Sequence, residues 1–240
     1  MAKIRAVFFD LYGTLARFDP PREQIQARAA AEHGMTARPA GITAGYRDAD
    51  EFMAQQNAHM PLRTMAPDER DRFFARYEQL VLRGAGHDVD LSEAARVWKS
   101  VRRQKYGLAL FPDALSTLGA LRTERLTLGV VSNMNETGEV VARRLGLTGH
   151  VDFVVTSVEA GAEKPHLPIF REALSRAGVG ADEAVHVGDQ LDSDIEWARR
   201  AGIRPVLIDR YGNHVSYRDA PRIASLEKLP DLIRLLNSDH

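Results

Sequence analysis

The chain has 240 residues, and its 32 Lys plus Arg against 33 Asp plus Glu leave a net charge of −1. That length suits one large domain or two small ones, and that charge gives no whole-chain field to hold nucleic acid or an anionic membrane. Aromatic residues at 7% offer no stacking platform for single strands, and the absence of cysteine excludes disulfides, a thiolate nucleophile and Cys-ligated zinc or iron–sulfur clusters. The first apolar run, Ala6–Phe9, is too short for a signal peptide or a membrane span, so a cytoplasmic chain with a small-molecule partner is expected. Composition leaves the oligomeric state open.

In chain order, β-branched or aromatic runs bounded by turn signals occur at Ala6–Phe9, Leu126–Ser132, Phe153–Thr156, Ala184–Val187 and Pro205–Ile208. Stretches of helical period lie between them, which predicts buried parallel strands with crossover helices. More than a hundred residues separate the first two runs, far beyond a usual connection, and predict an inserted domain. Within it, Asp68–Arg83 sets Phe73, Phe74, Tyr77, Leu80 and Val81 on one helical face. Ile25–His33 and Gly45–Gln56 also read as helices, Ala37–Gly45 as a loose segment and Gly84–Asp88 as a turn; Pro39, Pro61 and Pro67 separate the elements. Leu110-Phe111-Pro112-Asp113 marks the return to the sheet. Glu136–Leu145 reads as a helix stopped by Gly146, and Ile195, Ala198 and Ala201 form the stripe of another stopped by Gly202.

Ligands of an open parallel sheet bind beyond the carboxyl ends of its strands. Polar groups stand at four such places: Asp10-Leu11-Tyr12-Gly13-Thr14, Ser132-Asn133, Glu163-Lys164-Pro165, and Gly188-Asp189-Gln190-Leu191-Asp192-Ser193-Asp194. Asp10 is a candidate carboxylate nucleophile, Thr14 and Ser132 can hold oxyanion oxygens, and Lys164 supplies a fixed positive charge. With Asp189 and Asp194, three carboxylates gather, a repulsion best relieved by a hard cation such as Mg²⁺. Singly each signal is weak: an Asp ending a strand is more often a cap or turn former, and Asp192 and Ser193 are expected to cap the helix that follows.

The order and spacing of these segments resemble the haloacid dehalogenase superfamily of hydrolases, in the subfamily I branch whose helical (C1-type) cap is inserted after the first motif. The resemblance implies an α/β fold with a Rossmann-like parallel sheet, strand order 3-2-1-4-5. It places a hydrolase core at 1–15 and 107–240 and a helical lid at 16–106, closing over Asp10 and hinged near Ala16–Pro20 and Gly107–Pro112. It makes Asp10 the nucleophile of a covalent aspartyl intermediate, with Ser132, Asn133, Thr14 and Lys164 around the transferred group. Asp10, the Tyr12 carbonyl and Asp189 would ligate Mg²⁺, and Asp194 would be a further ligand or support one.

Phosphatases of the superfamily usually carry a second aspartate two positions after the nucleophile as general acid and base; this chain has Tyr12, a poor substitute at neutral pH. The Asp-x-Tyr-Gly-Thr string resembles instead the metal-independent 2-haloacid dehalogenases, whose departing halide needs no proton. The fourth segment points back toward phosphorus, because its two acids ask for a metal. A magnesium-dependent phosphatase on a small phosphorylated metabolite is therefore expected, with a dehalogenase as the alternative and a catalytically idle binding protein as a third reading. The dehalogenase resemblance implies an arginine early in the insert that holds the substrate carboxylate or halide, with Arg47 the nearest candidate and Arg22 a second, though an exposed salt-bridged arginine is commoner. His33, His59 and His87 lack metal-binding spacing, His186 reads as a core histidine, and Trp98, Tyr106 and Phe111 are expected around the hinge.

Overall fold

The computed structural model describes residues 2–164 and 166–238, Arg63 by its backbone alone. Pro165, second residue of the Lys164-Pro165 pair, lies outside the described residues. The chain divides into two compact units, one running to Arg17 and resuming at Ala109, the other spanning Phe18–Leu108. In order, the elements begin with β1 (Ala6–Phe9), β2 (Ala16–Asp19), α1 (Arg22–Ala31), α2 (Pro39–His59), α3 (Pro67–Gly84) and α4 (Leu91–Arg103). Then come β3 (Gly107–Leu110), α5 (Ala114–Thr123), β4 (Thr127–Ser132), α6 (Gly138–Arg144), β5 (Phe153–Thr156), α7 (Ser157–Ala160) and α8 (Leu167–Ala177). The rest are β6 (Ala184–Gly188), α9 (Trp197–Arg200), β7 (Arg204–Ile208), β8 (Arg222–Ile223) and α10 (Leu229–Ser238). β2 and β3 pair as a two-stranded sheet where the chain leaves one unit and returns. No helix of the described residues is long and apolar enough to cross a membrane.

The first unit is an α/β fold around a six-stranded sheet, β5-β4-β1-β6-β7-β8. All its pairs are parallel. Its first five strands follow the expected order 3-2-1-4-5, and β8 adds a two-residue edge. β1 is buried along its whole length because both faces are covered. Ala6 and Phe8 point toward Ile169, Phe170 and Ala173 of α8 and Ala198 of α9, while Val7 and Phe9 alternate to the opposite face. Burying a side chain such as Phe8 contributes about 1.5–3 kcal/mol. The register sets Phe9 beside Val130 and Val187, so β1 ends one residue before β6 and two before β4, and the residues after them share one edge.

The second unit is helical. α3 packs along α2, and Gly45 permits it: a Cβ there would stand 2.3 Å from the Val81 carbonyl oxygen. That close approach explains why the supposedly loose Ala37–Gly45 is helical from Pro39 onward: proline suits a first helical position, and Ile42 and Tyr46 pack against Phe73, Tyr77 and Val81. Trp98 stacks on Phe74 with ring centres 4.6 Å apart, so it belongs to this unit's core. Tyr106 meets Phe18 edge-on at 5.4 Å beside the paired strands. Inside, the Tyr46 hydroxyl donates to Gln26 Oε1 at 3.2 Å and Gln26 Nε2 donates to Glu78 Oε1, all three side chains being buried.

Candidate active site

The loop after β1 carries the first candidate acid. Asp10 continues the ladder, its amide donating to the Val187 carbonyl at 2.8 Å, and the chain then folds back so that Leu15 and Ala16 donate to the Leu11 carbonyl. Gly13 takes a left-handed φ of +76°, and a Cβ there would meet Asp189 Oδ2 at 2.2 Å. Glycine thus allows the turn and lets the acid after β6 come against the loop. Among the described residues, Asp10, Asp189 and Asp194 bring carboxylate oxygens within 4.8 Å of one another.

Lys164 is buried between two of these acids. Its Nζ is hydrogen-bonded to Asp10 Oδ1 and, at 2.7 Å, to Asp194 Oδ1. Asn133, after β4, fixes the lysine's backbone on both sides: its Oδ1 accepts from Lys164 N at 2.6 Å and its Nδ2 donates to Lys164 O at 2.9 Å. Both ends of the Asn133 side chain therefore hold Lys164. Asp194 sits on a wide π-helical turn, Leu191–Glu196, an irregularity that re-aims a side chain. Besides the lysine it faces His186 Nε2 at 3.3 Å and accepts from Gln190 N at 3.2 Å.

Burial pushes the Asp10 carboxyl up to about 7, with Lys164 pulling it down and the Asp194 charge pushing it further up. For Asp194 burial works the same way, but Lys164 and His186 outweigh it and hold the carboxyl well below the usual range. Burial alone would lower Lys164; the two carboxylates raise it instead and keep the ammonium charged. Burial lowers His186, against the pull of the Asp194 carboxylate beside it. Three carboxyls gather around one ammonium, which bonds two of them, so hard oxygen donors outnumber the cationic charge, which fits Mg²⁺. Two hydroxyls, Thr14 Oγ1 and Ser132 Oγ, are buried with no hydrogen-bond partner among the described residues. Such orphaned donors mark where ligand oxygens would be accepted.

Other expected residues lie elsewhere. Arg47 is exposed and faces its neighbour Asp48 at 3.6 Å; Arg22 is bound to Asp50 at 2.7 Å with its guanidinium over the Tyr46 ring. His33 contacts Ser100 Oγ, and His87 the Thr36 carbonyl. Asp192 and Ser193 do not cap the following helix: they lie inside the π turn, whose cap position is Gln190, and Ser193 Oγ donates to Gln190 Oε1. Sequence reasoning missed His186 as a neighbour of the acid cluster; period-2 alternation puts it on the face opposite Val187, but only the π turn brings Asp194 to it.

A model of the haloacid dehalogenase-like hydrolases matches residues 4–202. The chain belongs to that family. It is a hydrolase by membership, and the match runs from the first segment of the α/β unit through the whole helical insert into the second segment, ending before β7. Ribulose-1,5-bisphosphate 5-phosphatase of Halopiger xanaduensis is 32% identical over 224 residues, 92% of this chain and 91% of that protein. Glyceraldehyde 3-phosphate phosphatase of Methanopyrus kandleri is 32% identical over 214 residues, 86% of this chain and 84% of that protein. Among solved structures, a 2-haloacid dehalogenase from Pseudomonas syringae pv. tomato is 28% identical with a TM-score of 0.57, covering 97% of this chain and 99% of that one.

Proposed function

We propose that this hydrolase is a magnesium-dependent phosphatase acting on a small phosphorylated metabolite, with Asp10 as nucleophile. The observation that carries the reading is the gathering of Asp10, Asp189 and Asp194, the first and last buried and Asp189 partly exposed, against the single ammonium of Lys164. A cluster with excess negative charge would repel an anionic substrate unless a cation accompanied it, and a phosphoryl group is the electrophile that gains from that cation. Two relatives that share most of their length with this chain are named as phosphatases of phosphorylated sugars, which supports the same reading.

Asp10 attacks phosphorus and displaces the alkoxide, which takes a proton from solvent and leaves as the alcohol; water then attacks the phosphorus of the aspartyl phosphate, gives up a proton to solvent, releases phosphate and restores the carboxylate. Ser132 and Thr14 hydroxyls donate to the transferred group's oxygens, and Lys164 holds positive charge beside the attacking carboxylate. Asn133 and Asp194 keep the lysine there. Asp10, Asp189 and the Tyr12 carbonyl would hold Mg²⁺, with Asp194 a further ligand or a support for one, and the ion would neutralise phosphoryl charge. We assign the helical insert the role of the cap that selects the substrate, as in the capped branch of the family, and a cytoplasmic setting to a chain without cysteine.

One observation favours a second reading: Tyr12 stands where a proton-donating carboxyl would serve an alkoxide leaving group, and a halide needs none. Purified protein assayed with Mg²⁺ on sugar phosphates, nucleotides and p-nitrophenyl phosphate, beside 2-chloropropionate with chelator, separates the two. Magnesium-dependent phosphate release is the expected result. Chelator-insensitive halide release would replace it with carbon chemistry, and silence in both from folded protein would favour a binding role.

A further inference from the structure

We propose that Arg210, clamped by Asp113, is the positioning residue of the nucleophile loop: it fixes the Gly13 and Thr14 carbonyls so that Thr14 meets the group Asp10 attacks. The proposal rests on the phosphatase reading for its substrate and on geometry for its mechanism. Arg210 follows β7, nearly two hundred positions from the loop it holds. Its Nη2 donates to the Thr14 carbonyl at 2.7 Å and its Nε to the Gly13 carbonyl at 3.3 Å. The other side of the guanidinium forms a bidentate pair with Asp113, Nη1 at 2.9 Å and Nη2 at 3.0 Å. The plane lies over the Phe111 ring, its central carbon 3.8 Å from the ring centre.

Asp113 is fixed from a third direction. Its Oδ2 also accepts from Ser225 Oγ at 2.8 Å and from Leu226 N at 2.9 Å. The chain on either side of the arginine is anchored as well: Asp209 accepts from Asn213 N at 2.7 Å, His214 N at 3.0 Å and Arg222 at 3.0 Å. The guanidinium is thus held in one plane by aromatic stacking and two fixed partners before it reaches the loop.

That rigidity is aimed at a pliable target. Gly13, at positive φ, has more backbone freedom than any other residue type would have there, and Thr14 follows directly. Holding the Gly13 carbonyl fixes the peptide plane to which the Thr14 N–H belongs and turns that N–H to the opposite side. Thr14 Oγ1, on the same short loop, is a buried hydroxyl without a partner among the described residues. A buried ion pair is by itself weak grounds for stability. Here its donors reach the carbonyls of the two residues that shape the site, and Arg210 touches no reacting atom, so its role runs through Thr14.

The test measures kcat and KM on a phosphate ester, and inorganic phosphate binding by calorimetry with Mg²⁺, for wild type, Arg210→Met, Arg210→Lys and Asp113→Asn. Methionine keeps an apolar stem against Phe111 and removes the donors. Arg210→Met is expected to keep its circular dichroism, lose about 100-fold in kcat/KM through kcat, and bind phosphate about tenfold more weakly. Arg210→Lys is expected to fall between it and wild type. A folded Arg210→Met with phosphate affinity and kcat/KM within twofold of wild type overturns the proposal. So does a loss that disappears on cooling in step with recovered folding, the sign of a merely structural pair. If Arg210→Met does not fold, Arg210→Lys and Asp113→Asn are judged by the same criterion. Wild type that binds phosphate yet hydrolyses no ester overturns the phosphatase reading alone, and phosphate affinity of the variants still decides the role of Arg210. Wild type that binds no phosphate overturns both.

Discussion

Each unit buries an acid whose carboxyl desolvation pushes up to about 7: Asp10 in the α/β unit and Glu78 in the helical one. Their company differs. Asp10 bonds an ammonium and lies beside two further carboxylates, and two hydroxyls without a partner among the described residues stand on its own loop (Thr14) and at the end of the neighbouring β4 (Ser132). Glu78 faces the Gln26 amide, itself bonded to Tyr46, in the middle of packed helices, and its Oε2 has no partner among the described residues. A perturbed carboxyl marks a site when opposite charge and open donors surround it; alone among amides and aromatic rings it marks a buried polar core.

Substitutions can break or sharpen this contrast, beginning with the largest effect. Asp10→Asn removes the nucleophile and should lower turnover by about four orders of magnitude or more, whereas Glu78→Gln should leave kcat/KM within a fewfold. Equal losses in steady-state assays would erase the distinction. Lys164→Met leaves Asp10 and Asp194 without their cation and should cost about 3–5 kcal/mol in urea unfolding, partly recovered by Mg²⁺; no dependence on Mg²⁺ would count against a metal among these acids.

For Glu78 the folded carboxyl lies near 7 and the unfolded one near 4.5, so the folded state holds the extra proton between them. Stability is then greatest below about 4.5 and falls as pH rises to about 7, by about 3 kcal/mol as an upper figure. Unfolding followed by tryptophan fluorescence should show that slope in wild type and a shallower one in Glu78→Gln, the remainder belonging to Asp10, whose carboxyl is raised in the same direction. The smallest of these effects is Gly45→Ala, which sets a methyl against the Val81 backbone and should destabilise the helical unit by about 1–3 kcal/mol, leaving phosphate affinity unchanged. A separate change, Tyr12→Asp, adds the missing acid and should raise turnover of alkyl phosphates, toward the roughly hundredfold that a positioned acid supplies.

What could be read from the chain follows the range of the interactions involved. β1, β4, β5, β6 and β7 were legible because a strand buried on both faces needs an unbroken apolar run, and the polar residue ending each run is then conspicuous. Ala37–Gly45 reads as loose because Pro39, Gly41 and Gly45 are poor helix formers; contact with Val81 and Gly84 overrides that local preference. α4 carries its own signals, an Asp90 cap accepting from Glu93 N and apolar Ala94, Val97 and Val101, diluted by the charges around them. β8, two residues long, has no pattern to find. Among site residues, Asp10, Ser132 and Asp189 stand at strand ends or beside them, while Lys164 follows the short α7 that comes after β5. The grip of Asn133 on Lys164, the approach of His186 to Asp194 and the reach of Arg210 to Thr14 depend on contacts between distant segments, which no local period records.

The path of solvent oxygen tests the central claim, that buried carboxylates and one lysine fit Asp10 to attack phosphorus. Repeated turnover in ¹⁸O-water with Mg²⁺ should place the label in released phosphate and leave the Asp10 peptide at its ordinary mass, because water attacks the phosphorus of the aspartyl phosphate. Label accumulating in the Asp10 carboxylate, with halide released in the presence of chelator, would mean that water attacks the carbonyl of a carbon ester, and would contradict the account.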